Sequence, residues 1–147
     1  MAKNETKKPW NYSLKRTKTR ENIINTLATS SRPLSAMEIL ELTSKEESSS
    51  WPSTIYRNLE ILVEHDIVLK TKFHEEETAY YEINQHKHRH YAYCVECKKI
   101  IDLENCPFEN FHPKFQENGF QLLGHNLEIY GLCKECLDEK SKGNSSE

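Results

Sequence analysis

No stretch of this chain stays apolar over the roughly 20 residues that a membrane-spanning helix requires. Its first twenty residues are polar and basic, unlike the apolar leader of a secreted protein. Glycine is scarce, four in 147 residues, and none belongs to a Gly-rich loop of the kind that cradles a phosphate. No His-Glu-x-x-His sequence is present to set a hydrolytic zinc on a helix, and no internal repeat is visible. Apolar residues make up only 36% of the chain and mean hydropathy is −0.81. Two domains of roughly 70 to 85 residues would each be marginal on hydrophobic burial alone, so some other staple is expected. The reading at this point is a soluble, cytoplasmic protein with no membrane partner.

The charge that is present is unevenly placed. Residues 1–72 hold twelve basic against nine acidic side chains, whereas residues 73–147 hold eight against fourteen. Seven of the basic ones (Lys3, Lys7, Lys8, Lys15, Arg16, Lys18 and Arg20) fall in the first twenty residues, beside a single acid, Glu5. A basic arm on an acidic body suits a protein that meets phosphates at one end. A merely solvated tail has the same composition, so the segments that follow must decide.

Ile23, Ile24 and Leu27 recur at helical spacing, and Ser30-Ser31-Arg32-Pro33 ends that run. Ser35 with Glu38 reads as a capping box opening a short helix through Met37, Ile39, Leu40 and Leu42. After a Ser-rich connection, Ser50 caps a third helix with Pro52 in its first turn. Ile55, Leu59, Leu62 and Val63 form its apolar face; Tyr56, Arg57 and Glu60 lie off it. Residues 67–73 and 79–83 have strand composition, joined by a polar loop that lacks the usual glycine. Three helices and a hairpin make a winged helix-turn-helix, assigned with the basic arm to residues 1–84.

Residues 85–137 differ in kind. A histidine-crowded segment, residues 86–93, leads into a first cysteine pair, and residues 100–103 read as a strand. Pro107 opens an expected helix with Phe108, Phe111 and Phe115 on one face, closed by Gly119. Residues 120–123 and 127–130 look like two further strands, and residues 138–147 read as a polar, frayed tail. The expected fold class is α+β, the winged helix being followed by a small α/β domain.

Four of the five cysteines form Cys94-x-x-Cys97 and Cys133-x-x-Cys136, with 35 residues between the pairs. Each turn presents two thiolates to one point, and two such turns complete the tetrahedron that structural zinc prefers. One shared ion would fasten the end of this domain to its beginning and supply folding energy that a small core cannot. A redox pair is the competing reading of one such motif, but two pairs without a thioredoxin pattern favour metal. Cys106 stands outside the pairs and reads as an ordinary semi-buried cysteine at a helix start.

Ser53-Thr54-Ile55-Tyr56-Arg57-Asn58-Leu59 lies on the third helix, where a helix-turn-helix carries its major-groove reader. Arg57 could serve a guanine edge or a phosphate, and Tyr56 a thymine methyl or the backbone. That segment follows Thr17-x-x-Arg20. It is followed in turn by His86-x-His88-x-His90 entering a Cys-x-x-Cys, and by a closing Gly131-x-Cys133-x-x-Cys136. In this order the chain resembles the ferric uptake regulator superfamily, from about Leu14 to Leu137. Glu104-Asn105-Cys106-Pro107 and residues 124–131 are most similar to its zinc uptake regulator branch. The resemblance implies a homodimer whose second domain is the dimerisation domain. Loaded with metal, it would close on double-stranded, palindromic operator DNA and repress transcription of metal-uptake genes. It places Lys15, Thr17, Arg20, Ser53, Thr54, Tyr56 and Arg57 at or near DNA.

The family also implies regulatory metal sites built from N and O ligands. Matched by motif, His88, His90, Glu109 and His125 form a sensor set, three imidazoles and a carboxylate, suited to tetrahedral zinc. A further site is expected to differ from the family's pattern: its hinge histidine falls on Pro33, and Arg89 and Tyr91 occupy another ligand pair. Glu82, His86 and Asp102 are left as its candidates. His65, His74 and His112 carry no motif support. The cofactors expected are a structural Zn2+ and a second, regulatory metal, Zn2+ first, with Fe2+ or Mn2+ as alternatives. An iron- or peroxide-responsive regulator on the same fold is the first competing function. A zinc-dependent hydrolase is a second, from another class, and the missing motifs oppose it. A zinc-ribbon module that binds only protein is a third, opposed by the reader helix and basic arm. The chain is not expected to be an enzyme.

Overall fold

The structure, a computed structural model, describes residues 14–45, 51–85 and 88–144. The chain divides into two compact units, residues 1–87 and 88–147.

In the first unit α1 (Lys18–Thr29) begins where Thr17, in an extended conformation, accepts a hydrogen bond on Oγ1 from the Arg20 N–H at 3.3 Å. Its inward stripe is Ile23, Ile24 and Leu27, all buried. A two-residue strand, β1 (Leu34–Ser35), leads directly into α2 (Ala36–Ser44). The capping box expected at this junction is formed in both directions. The Ser35 N–H donates to Glu38 Oε2 at 2.7 Å, and the Glu38 N–H donates to Ser35 Oγ at 3.2 Å. Met37 and Leu42, at the rim of this helix, are exposed.

The third helix, α3 (Pro52–Glu64), is capped by Trp51, which offers no side-chain acceptor. The expected cap, Ser50, lies outside the described residues. Pro52 supplies the first-turn geometry, and the Trp51 carbonyl accepts from the N–H groups of Thr54 and Ile55 at 2.9 and 3.2 Å. The strands β2 (Val68–Lys72) and β3 (Ala79–Ile83) pair antiparallel, and β1 adds to β3 in the order β1-β3-β2. Their connection has no glycine because His74 itself takes a left-handed conformation, φ 49°. Ile23, Ile39, Leu59 and Leu62, each fully buried, centre one core shared by three helices and hairpin.

The second unit is built on the short strands β4 (Tyr91–Cys94), β5 (Ile100–Asp102) and β6 (Ile129–Gly131), ordered β5-β4-β6. The β4/β5 pair is antiparallel and the β4/β6 pair parallel. Two expectations fail here. Residues 107–128 contain no helix or strand, only turns at 107–110 and 118–119 and a bend at 116–117. Pro113 explains the missing helix: it would sit inside it, without an N–H and against the preceding turn. Of the two expected strands only residues 129–131 form one. Conversely, a helix α4 (Lys134–Gly143) continues into the segment expected to fray. Lys140 pairs with Glu96 across 3.0 Å there, and Ser141 Oγ donates to the Leu137 carbonyl. Among the described residues, no helix is long and apolar enough to cross a membrane.

Candidate metal centres and reader helix

Strand β4 runs between two clusters of ligand-bearing side chains. At its C-terminal end Cys94 opens a tight turn, closed by the Lys98 N–H on the Cys94 carbonyl and the Cys94 N–H on the Lys99 carbonyl, both 2.9 Å. Lys98 takes φ 66° to make that turn. Neighbouring β6 delivers Cys133, and Cys136 follows on the first turn of α4. The sulfurs of Cys94, Cys97, Cys133 and Cys136 all lie within 4.8 Å of one another. Cys97 and Cys133 are 3.7 Å apart, the edge of a tetrahedron with Zn–S bonds of about 2.3 Å.

The electrostatics of this cluster favour a cation. Backbone N–H groups of Cys133, Cys97 and Glu96 aim at the Cys94 sulfur and bring its pKa down to about 6. Cys136 moves the other way, well above the ordinary thiol range, because its proton is held by the Cys133 sulfur and burial opposes a further charge. At Cys97 the Lys99 N–H lowers the pKa, but burial and the Cys94 and Cys133 sulfurs outweigh it. Without an ion, one thiolate suppresses the next; a divalent cation removes that conflict.

At the N-terminal end of β4 the chain is extended, so His88 and His90 face the same way while Arg89 points aside. The Leu103 N–H donates to the His90 carbonyl at 2.9 Å and carries the β4/β5 pairing one residue further. His125 arrives on the segment before β6. The three Nε2 atoms converge: His88 to His90 2.8 Å, His88 to His125 3.0 Å, His90 to His125 3.1 Å. The fourth member is Cys106, whose sulfur lies 3.2 Å from His88, 3.3 Å from His90 and 3.5 Å from His125. Burial, then the His88 and His125 rings, push the His90 imidazole below its ordinary pKa, which keeps it in the neutral form that metals require.

This set differs from the expected one in a single residue. Glu109 is exposed on the turn after Cys106, its N–H donating to the Cys106 carbonyl, and its carboxylate does not join the histidines. Cys106, read from sequence as an ordinary cysteine, takes that place. Of the further-site candidates, Asp102 is engaged by Arg89 at 2.6 Å and Glu82 sits in β3 opposite Leu69. His86 lies outside the described residues. Pro33 is fully buried, and Tyr91 is buried at the start of β4. Among the described residues only the two four-membered clusters bring candidate ligands together.

On α3, Ser53, Tyr56 and Arg57 are exposed and Thr54 is half-buried. Lys15 is exposed, whereas Thr17 caps α1. Arg20 is tied to α3: its Nε donates to Asn58 Oδ1 at 3.0 Å, and its Nη1 donates to the Lys15 carbonyl at 2.6 Å. Asn58 in turn donates to the Thr54 carbonyl at 2.8 Å. The end of the basic arm is thereby fixed against the helix that carries Tyr56 and Arg57. Lys3, Lys7 and Lys8 lie outside the described residues.

Residues 11–130 match the ferric uptake regulator family. The chain belongs to this family. Its members are transcription regulators, not enzymes, which removes the hydrolase reading. The chain is 33% identical over 132 residues to a ferric uptake regulation protein of Campylobacter jejuni, covering 88% of this chain and 83% of that one. It is 31% identical over 121 residues to a peroxide-responsive repressor of Staphylococcus aureus, covering 82% and 80%. Among solved structures it resembles the Helicobacter pylori ferric uptake regulator, described as having three functional metal-binding sites. The TM-score is 0.71 at 26% identity, over 85% of this chain and 83% of the other. These relatives are iron and peroxide regulators by name, so the preference of this family member for one metal rests on its own ligands.

Proposed function

We propose that this member of the ferric uptake regulator family is a metal-responsive repressor. It binds operator DNA as a homodimer when its sensor site is loaded, with zinc as the sensor metal and metal-uptake genes as targets. The observation that carries the reading is the convergence of His88, His90 and His125 on one point, in a chain with an exposed Tyr56-Arg57 pair on its reader helix. Three imidazoles converging on one point suit a divalent transition-metal ion such as zinc. The four cysteines hold a structural zinc. Lys15, Thr17, Arg20, Ser53, Thr54, Tyr56 and Arg57 form the DNA-facing set, with Thr17 and Arg20 also organising it.

Dimerisation accounts for the apolar side chains that the second unit leaves uncovered. Phe111, Phe120 and Leu123 are 56%, 53% and 91% exposed, too much apolar surface on so small a unit for a solitary chain. A second copy is the occupant that family membership supplies. Metal at the three-histidine site would favour one arrangement of the paired reader helices over others, a population shift that matches them to operator half-sites.

The test is a mobility shift on promoter DNA of metal-uptake genes, with zinc, ferrous iron, manganese or a strong chelator supplied in turn. Retardation with zinc at low free metal is expected. Retardation in every lane would leave a DNA binder that senses nothing. Response to ferrous iron or manganese, with indifference to zinc, would support the iron- or peroxide-responsive reading that the named relatives favour.

A further inference from the structure

The six distances among His88, His90, His125 and Cys106 are the six edges of one small tetrahedron. They run from 2.8 to 3.5 Å, and the longer three all involve sulfur. A point inside this figure lies about 1.8 Å from the three nitrogens and about 2.3 Å from the sulfur, near the Zn–N and Zn–S lengths of about 2.0 and 2.3 Å.

Hydrogen bonding alone does not account for this arrangement. A neutral imidazole carries one N–H, and a single Nε2 proton can point at only one of the three atoms facing it. With three Nε2 atoms and one sulfur mutually in contact, some lone pairs must face lone pairs or some protons face protons. A thiol held as an ordinary neighbour would need one partner; Cys106 is nearly equidistant from three. A cation at the centre satisfies all four donors at once.

We infer that the Cys106 thiolate is the fourth ligand of the sensor site, and that it biases the site toward zinc and similar borderline or soft divalent ions over Mn2+ and Fe2+. This deepens the proposed function and rests on its three-histidine sensor. Sulfur in place of a carboxylate is the change that matters. A hard carboxylate oxygen suits manganese, whereas thiolate donors favour zinc and disfavour manganese at the same geometry. The only carboxylate the sequence offered for this place, Glu109, stands outside the cluster and is exposed.

The experiment is a Co2+ titration of the full-length protein with its four-cysteine site already filled with zinc. His125→Ala, which keeps all five cysteines, supplies the background from exchange into that site. Wild type is expected to bind one Co2+ with tetrahedral visible bands and a thiolate-to-cobalt charge-transfer band in the near ultraviolet. Cys106→Ser should lose the charge-transfer band and bind Co2+ or Zn2+ more weakly by at least the roughly tenfold to hundredfold that losing even an outer-shell partner costs. In competition, Cys106→Asp should move the Zn2+-over-Mn2+ preference toward manganese by about tenfold or more. Tetrahedral cobalt bands without a charge-transfer band in wild type would remove Cys106 from the site and leave the histidine sensor standing. No Co2+ bound beyond the His125→Ala background would overturn the sensor site itself, and this inference with it.

Discussion

Two arginines in the first unit carry the same guanidinium to different ends. Arg57 is exposed on α3, off the apolar face that packs Ile55 and Leu59 into the core. Arg57→Ala should weaken operator binding by about 1–3 kcal/mol, the size of one base or phosphate contact, with unchanged zinc content and melting temperature. Tyr56→Phe should behave alike in kind. Arg20 also spans α1 and α3 through Asn58 and holds the Lys15 carbonyl. Arg20→Ala should therefore lose DNA affinity and also about 1–2 kcal/mol of stability in the first unit, since hydrogen bonds from a charged donor are lost. Thermal denaturation alongside a DNA titration separates the two; an Arg20→Ala protein melting like wild type would reduce Arg20 to a phosphate contact. The same scale shows where sequence reasoning about ligands stopped. That His88, His90 and His125 lie together was legible, because alternation in an extended segment and a matching motif single them out. Cys106 was not, since a cysteine outside a pair has no spacing signature, and only the fold brings its sulfur to the histidines.

At the scale of elements, local chemistry was the reliable guide. The α2 start follows from the Ser35/Glu38 box and the hairpin from two β-rich runs around a polar loop, whereas the Thr17 cap of α1 emerged only in the structure. The expected helix over 107–119 rested on phenylalanine spacing and overlooked Pro113, which vetoes it. Helix α4 was missed because its composition is that of a solvated tail; its one buried residue is Cys136, so no apolar stripe advertises it. The capping box offers a test with a sign. Burial alone would raise the Glu38 carboxyl, but the Arg32 guanidinium at 2.7 Å and the Ser35 N–H and hydroxyl outweigh it and hold Glu38 below the usual carboxylate range. A carboxyl depressed in the folded state binds its proton first in the unfolded chain. Its stabilisation is complete above the unfolded value of about 4.3 and drains away as pH falls through the folded one. Ser35→Ala should cost about 1 kcal/mol at neutral pH. Glu38→Gln should flatten the acid side of the first unit's stability curve. Parallel curves for Glu38→Gln and wild type below pH about 5 would show that the box is not what acid removes.

Across the whole molecule the two units are held together by different physics. The first has a continuous hydrophobic core drawn from three helices and the hairpin. The second has strands of three or four residues, and the buried cluster joining its first and last strands consists of Cys94, Cys133 and Cys136. Structural zinc binding provides about 10–16 kcal/mol in small metal-folded domains, more than such a sheet can gain from side-chain burial. With the four cysteines holding zinc as proposed, its removal should therefore unfold one unit and spare the other. In hydrogen exchange after exhaustive chelation, or in Cys97→Ser, residues 91–102 and 129–143 should lose protection while residues 18–29 and 52–83 keep theirs. Melting should then show one cooperative transition from the first unit in place of two. The histidine site should fall with the sheet, because His90 and His125 are carried on the segments entering β4 and β6, whereas His125→Ala should leave the sheet intact and abolish only the metal response. If the second unit stayed protected without its zinc, the short sheet would be self-sufficient and the cysteines would need another purpose.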